Sequence, residues 1–171
     1  NGDEWIYRWN TLSRSINVIK AKGSMFYIGL YYKNGYTGLQ RSNDSGNTFM
    51  DDYSTLVYNS SISDVEFMNE NDVYIVGHQY GISGIGSIIL RSTNYGQNWV
   101  LVHNQPTSYS YYHLEISGNR IYAGGSYGAG IIMSTNSGQN WTPIGMTDKN
   151  ISYIAVYGDY LFVNTNDSGI F

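Results

Sequence analysis

No cysteine occurs in this sequence and proline occurs only twice. The first absence excludes disulfide frameworks and thiolate chemistry together, and with them the stapling of small secreted domains. Charge is sparse too: 9 Lys and Arg stand against 13 Asp and Glu, a net charge of -4. No basic stripe of the kind that neutralises a phosphate backbone is present, so nucleic acid is not an expected partner. No apolar run approaches the roughly 20 residues of a membrane-spanning helix. Asn1 to Trp9 lack the hydrophobic region of a signal peptide, so membrane insertion is not expected. Sustained 3.6-residue apolar spacing with helix caps is also missing, which leaves helices little support.

What is present favours strands. Tyrosine numbers 18 and glycine 20, a mix suited to short strands joined by Gly and Asn turns. Alternating segments such as Met25-Phe26-Tyr27-Ile28 and Val73-Tyr74-Ile75-Val76 recur. A chain of 171 residues fits one domain, spanning 1–171.

Self-comparison reveals a repeat. Arg41-Ser42-Asn43-Asp44-Ser45-Gly46-Asn47-Thr48-Phe49 returns as Arg91-Ser92-Thr93-Asn94-Tyr95-Gly96-Gln97-Asn98-Trp99 and as Met133-Ser134-Thr135-Asn136-Ser137-Gly138-Gln139-Asn140-Trp141. The serines stand 50 and 42 residues apart. Gly2-Asp3-Glu4-Trp5 reads as the tail of an earlier copy. A two-strand phrase precedes each copy: Ile16 to Ala21 with Met25 to Gly29, Asp64 to Phe67 with Val73 to Gly77, His113 to Ile116 with Ile121 to Gly125. A fourth phrase, Tyr153 to Val156 with Leu161 to Asn164, follows the last copy. A third strand leads into the motif and a fourth leaves it. Four antiparallel strands over about 40 to 45 residues make the blade of a β-propeller, so the fold class is all-β, with about four repeats present.

The shared pattern, Ser-x-Asp-x-Gly-x-x-Trp, resembles the Asp-box or BNR repeat of sialidases, oligoxyloglucan-active glycosidases, sortilin-type receptor ectodomains and photosystem assembly factors. The resemblance implies a structural role for Ser42, Asp44, Gly46, Phe49, Ser92, Asn94, Gly96, Trp99, Ser134, Asn136, Gly138 and Trp141, on the blade periphery and away from any active centre. Asn94 and Asn136 replace Asp, and Asn still accepts the bonds of an Asx turn. Three closures of the ring stay open: a complete four-bladed ring with Trp5 to Trp9 completing the fourth blade, a homodimer completing an eight-bladed ring, or a piece of a larger propeller, which is favoured.

Catalytic chemistry finds few footholds. The arginine triad that the sialidase resemblance implies has no counterpart, since Arg41 and Arg91 belong to the repeat and no Arg-Ile-Pro-like segment occurs. Glycosidases need two carboxylates across a cleft, and Asp51, Asp52, Asp64, Glu66, Glu115, Asp148 and Asp167 offer no evident pair. Glu66 and Glu115 share one position in the first strand of their blades; that position faces either the central channel or, as favoured here, hydrated exterior. His78, His103 and His113 lack metal-ligand spacing, and the Asn-Asp-Ser-Gly segments lack the further oxygens of a calcium loop. No catalytic residue, metal or cofactor is expected.

Topology sets the expected binding face. In a four-stranded blade the A-B and C-D turns lie on one side of the disc, and the B-C and D-A loops on the other. The second side gathers Tyr32, Tyr36, His78, Tyr80 and Tyr127, aromatic groups suited to a sugar face or a polypeptide surface. The sequence thus predicts a non-enzymatic binding or scaffolding propeller, extracellular or at the cell surface, that recognises glycan or protein; the alternative is a glycoside hydrolase or part of one.

Overall fold

A computed structural model describes residues 14–81, 86–105, 109–126 and 128–171. The described residues are strands and turns in four antiparallel sheets. Blade 1 comprises β1 (Ile16–Lys22), β2 (Met25–Leu30), β3 (Leu39–Ser42) and β4 (Met50–Asp51). Blade 2 comprises β5 (Ser60–Phe67), β6 (Val73–Gln79), β7 (Ser87–Ser92) and β8 (Val100–Gln105). Blade 3 comprises β9 (Tyr111–Ser117), β10 (Arg120–Gly125), β11 (Ile131–Ser134) and β12 (Thr142–Gly145). Blade 4 contributes β13 (Ile151–Tyr157), β14 (Tyr160–Thr165) and β15 (Gly169–Ile170). In every sheet the strands lie in chain order, and the first strands pack on one another in series, β1 on β5, β5 on β9 and β9 on β13. The chain is an all-β propeller of four blades.

Successive blades stack face to face, so a middle strand is buried on both sides and its sequence runs apolar without a break. In β6, Val73 and Ile75 enter the seam with blade 1, whereas Tyr74 and Val76 enter the seam with blade 3. Three apolar clusters result, one per seam: around Tyr27, Val65 and Trp99; around Tyr74, Leu114 and Ile132; and around Tyr122, Ile154 and Val163. Gly77 lets β5 come close, because a Cβ there would sit 2.1 Å from the Ser61 carbonyl oxygen.

The register shows one aromatic position shared by all four blades. Tyr27, Tyr74, Tyr122 and Phe162 each oppose the same point of the first strand, at Lys20, Glu66, Glu115 and Ala155. The three tyrosines are 0%, 0% and 6% exposed, and Phe162 is 47% exposed. At the other end Ile19 is 56% exposed, whereas Val65, Leu114 and Ile154 of the later first strands are fully buried. The outward faces of blades 1 and 4 therefore carry apolar side chains of the kind that the seams enclose.

Several boundaries differ from the sequence expectation. β5 begins at Ser60 rather than Asp64, and β8 reaches Gln105. Expected loop residues thus become ladder residues, because Ser60 and Ser61 find partners in Gln79 and His78. The Trp5 to Trp9 strand and the Gly2 to Trp5 motif tail lie outside the described residues.

Candidate functional site

The repeated turn explains why its residues are fixed. In the third copy Ser134 Oγ accepts the amides of Asn136 and Gly138 at 3.4 and 2.9 Å and donates to Asn136 Oδ1 at 3.1 Å; that oxygen also accepts the Asn140 amide at 2.9 Å. Ser42, Asp44 and Gly46 repeat this network with the Thr48 amide, and Ser92, Asn94 and Gly96 repeat it with the Asn98 amide. Gly46, Gly96 and Gly138 have φ of 79°, 72° and 81°, a region that favours glycine. Asp44 adds a bond from Thr48 Oγ1, and the bonds from Thr48 and Ser42 hold its carboxyl down at about 2. The indoles then cross the seams. Trp99 Nε1 donates to Asp52 Oδ2 of blade 1 at 2.8 Å, and Trp141 Nε1 to the Val102 carbonyl of blade 2 at 3.1 Å. Trp99 is buried and Trp141 half-buried, while Phe49 ends its own copy without an indole N–H.

On the other side of the disc, every second strand leaves its sheet through the same bond. The amides of Tyr31, Tyr80, Ser126 and Asn166 donate to the carbonyls of Ser15, Asn59, Ser110 and Asn150, each the residue just before a first strand. This latch sets the B-C exits beside the starts of the first strands, around a cavity of ≈ 670 Å³. Tyr31, Tyr80 and Tyr112 supply its aromatic wall, and Asn17, Ser61, Ser63 and Ser110 its polar floor, with Ile16 and His78 completing the lining. Among the described residues, no carboxylate, lysine or arginine lines it. His78 Nδ1 lies 3.3 Å from Ser110 Oγ, and burial pushes the His78 pKa down, which favours the neutral ring. Burial, with the neighbouring Tyr31, Tyr112 and Tyr32, raises that of Tyr80.

The structure brings together three of the five expected binding residues. His78 and Tyr80 line the cavity with ring centroids 4.6 Å apart, and Tyr32 stacks on Tyr80 at 4.2 Å. Tyr36 stands elsewhere, with the cations of Arg14 and Lys33 against its ring at 5.4 and 5.2 Å. Tyr127 lies outside the described residues. Tyr31, which the sequence places on the loop face, is not among the five expected ligand residues, and Tyr112 is not singled out from the sequence. For Tyr31 the signal was its place just after the second strand; for Tyr112 it was position within a strand start expected to be loop.

The carboxylates go to structural bonds. Asp51 accepts from Arg14 Nη2 at 3.1 Å and Asp52 from the Trp99 indole. Asp64 spans blades 2 and 3, accepting the Leu114 amide at 3.0 Å and facing His113 Nδ1 at 2.8 Å. His113 Nε2 lies 3.0 Å from the Ile154 carbonyl of blade 4. Both ring nitrogens thus face acceptors, an arrangement that only the imidazolium satisfies. Burial opposes that charge, but Asp64 and the carbonyl outweigh it and raise the pKa. Glu66 and Glu115 are half-buried rather than hydrated at the exterior, because the stacked first strands enclose that position; Glu66 pairs with Lys20. Burial, then the Glu66 charge, raises the Glu115 pKa. Among the described residues no cluster of His, Asp and Glu has the makings of a metal site.

No protein family profile matches the sequence, and no curated protein is similar to it. Solved structures do share the fold. YCF48 bound to a D1 peptide superposes with a TM-score of 0.66 at 17% identity, over 90% of this chain and 48% of that one. YCF48 from Cyanidioschyzon merolae gives 0.63 at 15% identity, over 90% and 50%. The GH74 enzyme of Niastella koreensis gives 0.64 at 19% identity, over 89% and 26%. The chain therefore spans about half of the YCF48 chains and about a quarter of the GH74 enzyme. At these identities the likeness establishes a propeller of antiparallel blades; one such neighbour binds a peptide and another is an enzyme.

Proposed function

We propose that this propeller is a non-catalytic binding module that receives a polypeptide segment in the loop-face cavity. The observation that carries the reading is the lining: tyrosines over a floor of hydroxyls and an amide, with no charged side chain among the described residues. Peptide carbonyls and amides can pair with Asn17, Ser61, Ser63 and Ser110, while Tyr31, Tyr80 and Tyr112 cover apolar side chains at little entropic cost. The peptide held by YCF48 on the same fold supports this choice. In this reading the repeated Ser-x-Asp/Asn-x-Gly turns are degenerate Asp-boxes that hold the blades, and the protein works outside the cell or at its surface, a point for surface labelling of intact cells.

Glycan is the second ligand class suited to stacked tyrosines, and the GH74 likeness together with the half-buried Glu66 and Glu115 motivates the hydrolase alternative. Peptide and glycan arrays probed with the protein, Tyr32→Ala, Tyr80→Ala and, as a motif-side control, Arg91→Ala separate these readings. Peptide capture lost in both tyrosine variants and kept in Arg91→Ala is expected. Capture lost only in Arg91→Ala would put the site on the other face, glycan capture would replace the ligand, and hydrolysis of an arrayed glycan would replace the class.

A further inference from the structure

Arg41 and Arg91 occupy one repeat position, facing Tyr27 and Tyr74 across the second and third strands. Their surroundings differ in where a carboxylate stands. Two places before the tyrosine, blade 2 has Asp72 and blade 1 has Met25. Arg91 therefore has a carboxylate on its own sheet: Nε donates to Asp72 Oδ1 at 2.9 Å and Nη2 to Oδ2 at 2.7 Å, the planar two-bond match that guanidinium and carboxylate form best.

Arg41 has no such partner. Its Nε is buried without a hydrogen bond. The nearest acid, Asp52, is 4.0 Å away, and the same Asp52 Oδ2 already accepts the Trp99 indole. Beside Arg41 a cavity of ≈ 330 Å³ opens at the seam of blades 1 and 2, on the motif side. Lys22 adds a second cation to its lining, Asn43 and Gln97 add amide donors, and Glu70 is the acid among the described lining residues. Lys22 and Arg41 stand against Glu70 in the lining, and Asp52, behind Arg41, is shared with the Trp99 indole and leaves the Arg41 Nε–H without a hydrogen bond, which makes a place for an anion.

We propose that this cavity binds a carboxylate, which the Arg41 guanidinium receives in the role that Asp72 plays for Arg91. The source that fits is an Asp or Glu side chain of a partner polypeptide, since a flexible side chain can enter a small cavity whose rim is already built from turns. The site lies on the opposite side of the disc from the tyrosine-lined cavity and does not depend on it.

Titration of the whole chain, followed by calorimetry, tests the assignment with acetyl-Gly-Asp-Gly-amide, its Asn counterpart, sodium acetate and inorganic phosphate. The Asp peptide should bind at least about 10-fold tighter than the Asn peptide, the factor that one charge-assisted pair of bonds supplies. Arg41→Gln should abolish that preference, and Arg91→Gln and Tyr80→Ala should leave it unchanged. Met25→Asp, by supplying an internal carboxylate, should also abolish binding and raise the melting midpoint; if it does not fold, Arg41→Gln with an unaltered circular dichroism spectrum carries the test. Acetate binding weaker than the Asp peptide supports a polypeptide source, and equal binding assigns a free carboxylate to the same site. Equal binding of the Asp and Asn peptides, binding that survives Arg41→Gln, or phosphate binding with neither carboxylate bound overturns the proposal.

Discussion

Tyrosine occupies two opposite environments in this molecule. In the seams Tyr27 and Tyr74 are fully enclosed, and burial, their largest perturbation, pushes both phenols up to about 12. At the loop-face cavity Tyr31, Tyr80 and Tyr112 keep about a third to over half of their surface in solvent. The residue type is the same, and the place in the repeat decides its exposure. A ring on the second strand at the shared register is covered by the next blade, whereas a ring one step past that strand has left the sheet and is only partly covered, as where Tyr80 stacks on Tyr32 of blade 1. Stability and recognition should therefore separate along this line.

The largest effect should come from the seam. Trp99→Ala removes a buried indole and its bond to Asp52, and truncation of such a ring costs about 3–5 kcal/mol. Urea denaturation reads it directly, and a loss below about 1 kcal/mol would mean that the seam does not carry the fold. Next is the turn that presents the indole: Ser92→Ala strands two amides, with an expected cost of about 1–3 kcal/mol in the same assay.

Across the disc the pattern should invert. Tyr80→Ala should weaken peptide capture by about 10-fold, the worth of one stacking contact, and shift stability by less than about 1 kcal/mol. A large stability loss there would erase the distinction between the two sets of tyrosines.

Acid and base should distinguish the links further. His113 has a raised pKa, so its contribution is fully present below the unfolded value of about 6.5 and is lost as pH rises through the higher folded value. Denaturation midpoints of the protein and His113→Gln should therefore converge as pH rises past neutrality. Asp44 has the opposite sign: its contribution holds above about 3.8 and is lost as pH falls toward 2. Asp44→Asn, which copies Asn94 and Asn136, should flatten that acid limb.

The smallest effect belongs to Phe162. Its three counterparts are covered and it is not, so Phe162→Ser should leave the stability of a monomer within about 0.5 kcal/mol. In a homodimer that completes a ring across this face, the same change would raise the dissociation constant, which sedimentation would show.

Much of this fold could be read from the chain. The spacing of Ser42, Ser92 and Ser134 marks the blades, and the alternation of Val73, Tyr74, Ile75 and Val76 marks a strand with two buried faces. The positions of Ser60 and Ser61 could not be read, because hydroxyl residues pair in a ladder as readily as they end one. Blade topology puts Tyr36 on the same loop face as Tyr32, but its cation neighbours draw it elsewhere. Tyr112 sits at the start of β9, and only the stacking of first strands turns that start toward the exits of blades 1 and 2.

The sequence by itself determined the repeat, the turn chemistry and the side of the disc that carries the variable loops, since each rests on bonds within a few residues or on a period along the chain. Tertiary structure alone decided which tyrosines are enclosed, which carboxylates are spent on neighbours, and that Arg41 lacks what Arg91 has. Those outcomes depend on side chains some 20 to 50 residues apart, such as Asp52 with Trp99 and Asp64 with His113. Only the packing of one blade on the next brings such residues within hydrogen-bonding distance.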